Sequence, residues 1–172
     1  MTAADADMIA VIGCGNPNRR DDGAGLEVIR LLNSRRTFIG NHQVHMLDAG
    51  TDGMAVMFAA RGCTSLIVVD ACRTGVEPGT LFEVPGQELE SKLPHSFNLH
   101  DFRWNHALYA GRQIYKDKFP KDVTAYLIEA RHLEFGIGLS SEVSQATHRA
   151  AEKIEQNILD RLAALQQPVV TQ

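Results

Sequence analysis

Two adjacent aspartates, Asp21 and Asp22, stand near the end of the segment IAVIGCGNPNRRDDGAG, which runs from Ile9 to Gly25. The segment reads as an apolar strand, a glycine-framed turn and the opening of a helix. Gly13 and Gly15 permit a tight turn where a Cβ would clash, and Pro17 to Arg20 leave room for a loop. Such a loop presents the aspartates at the carboxyl edge of a sheet, where α/β proteins keep their chemistry. One carboxylate at a helix N-terminus serves as a cap; a second exceeds what capping requires. G-C-G-N resembles the start of a dinucleotide fingerprint, but the third glycine position holds Asn18. The anionic pair that follows would repel a pyrophosphate, so NAD binding is not expected. Paired carboxylates suit a cation instead.

Two further aspartates, Asp48 and Asp70, stand at the ends of apolar runs. If the strands run parallel, right-handed crossovers bring all four acids to one edge. Asp48, in D-A-G-T, reads first as a turn residue bonding its own backbone. Asp70 ends the continuous run SLIVVD, where a buried charge must be paired or bound to a cation. A carboxylate metal site usually recruits imidazole as well, and the chain has seven histidines. His42, His45, His132 and His148 are read as lying away from this edge, as surface or satisfied histidines. His95, His100 and His106 fall in the long connection after Val84. That connection lies over the carboxyl edge if Gly79 to Val84 runs antiparallel to its neighbours. His100 begins HDFRWNHAL, a helix start from which a side chain can reach the aspartates; His95 and His106 are the alternatives. Phe102 and Trp104 read as core anchors.

The elements that must position these residues alternate along the chain. Strands are expected at Met8 to Cys14, Gln43 to Leu47, Ser65 to Asp70, Gly79 to Val84 and Val123 to Ile128. Helices are expected at Gly23 to Ser34, Met54 to Arg61 with Asp52 as cap, Trp104 to Tyr115 and Ser140 to Leu165. Helical spacing puts Leu108, Gly111 and Ile114 on one face, and Val143, Ala146, Ile154, Ile158 and Leu162 in the core. Gly136 and Gly138 read as the turn that admits the last helix, capped by Ser140 or Ser141. The fold class is therefore α/β: a three-layer αβα arrangement around a twisted, mostly parallel sheet of about five strands, with one antiparallel edge strand. The whole of 1–172 reads as a single domain, with 1–7 and 167–172 frayed.

Composition narrows the function classes. A hydrophobic share of 44% with 22% charged residues is ordinary for a soluble domain of 172 residues. The net charge of -4 and pI near 5.9 supply no basic field for nucleic acid or an anionic membrane. No apolar run approaches the roughly 20 residues of a membrane helix, and MTAADAD lacks the pattern of a secretory leader. Cys14, Cys63 and Cys72 are odd in number and lack zinc-like spacing, so reduced thiols in a cytoplasmic protein are expected.

Taken in order, GCGNPNRRDDGAG, LDAGTDGM, LIVVDA, PGTLFEV, LHDFRWNHAL and FGIGLSSEV resemble the NiFe-hydrogenase maturation endopeptidases over nearly the whole chain. That family trims a C-terminal extension from the hydrogenase large-subunit precursor. The resemblance implies a metal-contacting triad of Asp22, Asp70 and His100, with Asp22 and Asp70 catalytic. It also implies that nickel(II) arrives within the substrate, as the signal that assembly is complete, rather than as a resident cofactor. Two carboxylates and an imidazole with open coordination positions fit such a temporary partner. Two other functions remain: a carboxylate-metal-dependent hydrolase of small substrates, or a non-catalytic nickel or assembly checkpoint. On the capping reading, loss of Asp21 costs mainly stability, about 1 kcal/mol.

Overall fold

The computed structural model describes residues 7–92 and 102–166. Five strands form one sheet in the order β2-β1-β3-β5-β4. They are β1 (Ile9–Cys14), β2 (Val44–Gly50), β3 (Ser65–Cys72), β4 (Leu81–Pro85) and β5 (Asp122–Glu129). The first four in that spatial order are parallel, and β4 pairs antiparallel with β5 at the edge. Five helices accompany them: α1 (Ala24–Arg35), α2 (Gly53–Ala60), the short α3 (Gly86–Leu89), α4 (Trp104–Tyr115) and α5 (Ser141–Leu165). The expected fold class is the one observed. The two frayed ends expected at 1–7 and 167–172 lie, apart from Asp7, outside the described residues.

Alternation along the central strands explains the three layers. Ile9, Val11, Ile67 and Val69 point to one face and pack with α1 and α5. Ala10, Ile12, Leu66 and Val68 point to the other and pack with α2 and α4. Strands covered on both sides must be apolar at every position, as β1 and most of β3 are. The five core positions expected in α5 are all buried.

Three details differ from expectation. Asp70 does not end its strand, because β3 runs on through Ala71 and Cys72, which pair with Ile128 and Glu129 of β5. The aspartate pair opens a 3-10 turn, Arg20–Gly23, and α1 starts only at Ala24. Ile114 is 61% exposed: two steps of three residues turn about 120° away from the Leu108 face at 100° per residue.

The carboxyl end of the sheet is shaped by a close approach. A Cβ on Gly25 would lie 2.3 Å from the Val69 carbonyl oxygen and 2.4 Å from that of Cys14, and one on Gly13 would meet the Gly25 carbonyl at 2.5 Å. The first turn of α1 thus rests on the backbone of β1 and β3. Gly25→Ala is expected to lower stability by about 1–3 kcal/mol, the cost of overpacking a rigid contact, measured as a reduced urea midpoint. An unchanged midpoint would show that this contact can open freely.

Candidate active site

Above this edge lies a cleft of about 420 Å³, lined by residues that include Cys14, Arg19, Asp22, Asp52, Asp70, Arg103, Trp104 and Leu133. Asp22 comes from the 3-10 turn and Asp70 from β3. Gly15 makes their meeting possible: its φ is +129°, and a Cβ there would lie 1.8 Å from the Asp22 carbonyl oxygen and 3.6 Å from Asp70 Oδ1. Asp22 Oδ2 accepts one hydrogen bond, from the Asn16 amide at 3.0 Å. Asp70 accepts two, at Oδ1 from the Ala71 amide and at Oδ2 from Trp104 Nε1, both at 2.8 Å. A carboxylate offers about four lone-pair directions, so both acids keep acceptor capacity.

Burial pushes the Asp70 carboxyl up from 3.8 to about 6; the Asp22 charge adds to the rise, while the Trp104 and Ala71 hydrogen bonds and the Arg103 guanidinium oppose it. Two like charges facing one space, one of them desolvated, are the arrangement a divalent cation relieves. Asp52 is already committed, capping α2 through the Met54 and Ala55 amides. The Cys14 thiol is pushed far up, first by burial and then by the charges of Asp70 and Asp48, which removes it as a nucleophile.

The remaining candidates separate. Asp48 is exposed in β2 and accepts from the Gly50 amide at 2.9 Å, the turn role first read for it. Asp21 is fully buried. Its Oδ2 accepts from the Arg131 and His132 amides and from Ser140 Oγ, and its Oδ1 from the Ser140 amide, all within 3.0 Å. It is therefore a latch between the turn before α1 and the loop before α5, not a simple cap. It also accounts for Ser140, which stands at the N-cap of α5 without capping it because its hydroxyl is turned to Asp21.

His132 lies in the loop following β5, at the carboxyl edge rather than away from it, with Nδ1 3.3 Å from Glu134. His106 Nδ1 accepts from the Arg103 amide at 3.3 Å, closing the first turn of α4. His100 and His95 lie outside the described residues.

Four groups escape the sequence pattern. Trp104 is buried as expected of a core anchor, yet its indole N–H also holds Asp70. Arg19 and Arg103 line the cleft, and nothing in their spacing marks them. Glu129 is buried and accepts from Thr74 and Gly75. Burial raises its carboxyl, but these hydrogen bonds outweigh that and hold it below the usual range. The signal was present: an acid ending the apolar run VTAYLIE must have a partner.

A family model described as hydrogenase maturation protease matches residues 26–157. A putative hydrogenase maturation protease of Methanocaldococcus jannaschii is 31% identical over 153 residues, covering 85% of this chain and 93% of its own length. The chain belongs to the hydrogenase maturation protease family. An endopeptidase from Escherichia coli matches the protease's structure with a TM-score of 0.72 at 27% identity, covering 86% of this chain and 89% of the other. The E. coli hydrogenase maturating endopeptidase HybD has the same fold, with a TM-score of 0.73 at 24% identity over 90% and 93% of the two chains. A small-substrate hydrolase and a non-catalytic checkpoint are thereby set aside for this protease.

Asp21→Ala strands four donors in the loop between β5 and α5, and its expected cost rises from the 1 kcal/mol of a cap to about 3 kcal/mol or more. Asp22→Ala should stay within about 1 kcal/mol of the parent in urea denaturation. Equal losses would contradict the separation of their roles.

Asp70 gives the metal-free protease a pH signature. Its folded value, about 6, lies above the ordinary 3.8, so its contribution to stability is complete below pH 3.8 and is lost as pH rises through 6. The urea midpoint of the parent relative to Asp70→Asn should therefore fall as pH rises from about 4 through 6. A flat difference would show that Asp70 is not desolvated.

Proposed function

We propose that this protease removes the C-terminal extension of a NiFe-hydrogenase large-subunit precursor, and that nickel already seated in the precursor is the recognition signal. The observation that carries the reading is the pair Asp22 and Asp70, brought from separate elements to one cleft with acceptor capacity left on both. His100 precedes the cleft-lining Arg103 and Trp104 by three and four residues in the chain and completes the proposed triad. Oxygen and imidazole donors suit a divalent ion of borderline character, and three open ligands hold it less securely than a closed structural site. That is the behaviour needed to engage nickel while it is bound elsewhere and then release it.

In the reaction a water oxygen attacks the scissile carbonyl carbon and the C–N bond breaks. The water proton passes to a carboxylate and on to the leaving amine. Each carboxylate keeps a lone pair that could take that proton. The carboxylates place the cation, whose charge favours the developing oxyanion. Residues Arg73 to Gly79 and Gly86 to Asn98 are proposed to distinguish one precursor from another. Three unpaired thiols fit a reducing compartment, and the reaction is assigned to the cytoplasm. Among the described residues no helix is long and apolar enough to cross a membrane.

Mass spectrometry of a nickel-loaded precursor mixed with the purified protein tests the reading. Loss of a C-terminal peptide is expected, and complex formation without cleavage would overturn it. Asp70→Asn, nearly isosteric but uncharged, should keep the fold and lose cleavage by about a hundredfold or more; processing at the parental rate would make Asp70 structural. The protein as purified should be largely metal-free, and added nickel should bind weakly, losing affinity below the imidazole pKa of about 6.5. A stoichiometric, chelator-resistant zinc would contradict substrate-borne nickel, and unchanged binding in His100→Ala would move the third ligand to His95 or His106.

A further inference from the structure

The loop from Arg131 to Leu139 joins β5 to α5 and reads RHLEFGIGL. Its apolar side chains divide. Leu133 lines the cleft, whereas Phe135 and Ile137 are 77% and 80% exposed, more than any other large apolar side chain among the described residues. A single exposed apolar residue is ordinary on a protein surface. Two on one firmly held loop beside a cleft are a different matter.

The loop is held at several points. The Arg20 amide donates to the Gly136 carbonyl at 3.0 Å and the Gly136 amide to the Asn18 carbonyl at 2.9 Å, a parallel bridge between Arg19 and Gly136. Arg19 Nε donates to the Leu133 carbonyl at 3.0 Å. The Arg19 guanidinium also lies 5.1 Å from the centre of the Phe135 ring, close enough for a cation–π contact. Arg20 pairs with Glu134 at 3.2 Å, and the buried Asp21 carboxylate clamps the loop near both ends, at Arg131, His132 and Ser140. Phe135 and Ile137 are thus presented to water on a support that cannot easily turn them inward. Apolar surface kept in water costs roughly 25 cal/mol per Å², recovered when a partner covers it. A fixed presentation also spares the ordering entropy that a loose loop would lose on binding.

We propose that Phe135 and Ile137 form a lip on which the protein substrate seats an apolar part of its own surface while the scissile segment lies in the cleft. This rests on the protease reading above and adds where the substrate's body docks. The occupant follows from continuity: Leu133 and Arg19 line the cleft and are joined to this loop and to the Phe135 ring, so a macromolecule large enough to cover the cleft wall can also cover Phe135 and Ile137. A lone cation or small molecule could fill the cleft without touching either.

The test compares Phe135→Ser/Ile137→Ser with Phe58→Ser/Ile114→Ser, a pair of the same residue types on α2 and α4 that is 56% and 61% exposed. The probe is a nickel-loaded NiFe-hydrogenase large-subunit precursor from the same organism. The lip variant should keep its urea midpoint and raise KM for processing, and Kd for the precursor bound to an Asp70→Asn background, by about tenfold or more. Its kcat should change much less, and the α2/α4 variant should match the parent throughout. Unchanged KM and Kd in the lip variant would overturn the inference, as would a parental dimer that the variant turns into a monomer, since the lip would then be a self-association surface. If the parent binds the precursor but never cleaves it, the protease reading fails while the Kd comparison still decides the lip.

Discussion

The site depends on how closely α1 can approach the sheet. Helices pack on sheets through their side chains, which keep the backbones well apart. Here Gly25 has no side chain, and the helix start comes within van der Waals reach of the carbonyls of Cys14 and Val69. Val69 immediately precedes Asp70, and Gly25 follows Asp22 by three residues, so one backbone contact sets the spacing of the two carboxylates. A side chain at Gly15 would collide with the Asp22 backbone and touch Asp70. The glycines therefore shape the cleft as much as the acids do, although none of them presents a side chain to it.

Around this contact, acids of one chemical type do three different jobs, divided by environment. Asp52 satisfies helix amides, Asp21 and Glu129 satisfy loop amides in the interior, and Asp22 and Asp70 keep lone pairs that no described residue takes up. Buried carboxylates saturated with hydrogen-bond donors have no lone pairs left to offer a ligand. Asp70 has two donors, little solvent and a like-charged neighbour, which leaves it less comfortable than the others. Unrelieved charge of this kind separates a reactive group from a structural one more sharply than residue type does.

Much of this was legible in the sequence. Continuous apolar runs located β1, β3 and β5, because strands covered on both faces leave no polar position. Pro78 and Pro85 bracket Gly79 to Val84, and a run so bounded belongs at a sheet edge, where β4 lies. The conserved physical logic of a charge closing an apolar strand pointed to Asp70, although β3 continues two residues beyond it. Asp21 was harder: its partners lie 110 to 119 residues away along the chain, and no local rule distinguishes a long-range latch from a cap. Trp104 shows the same limit, since an indole that anchors a core and one that also holds a carboxylate look identical in sequence. Ile114 followed an i, i+3 rule one step further than helix geometry allows.

Arg20 gives the turn bearing Asp22 an unusual history. Its φ of 48° is a conformation that a residue with a side chain seldom visits unless surrounding structure requires it. The requirement comes from the far end of the chain, where Gly136 and Glu134 receive Arg20. An incompletely folded chain, still lacking β5 and the loop behind it, would have no reason to hold this turn. The first carboxylate of the cleft is therefore assembled only when the two ends of the domain meet, a closure of high contact order that belongs late in folding. The shape of the cleft becomes a property of the finished molecule rather than of its N-terminal segment.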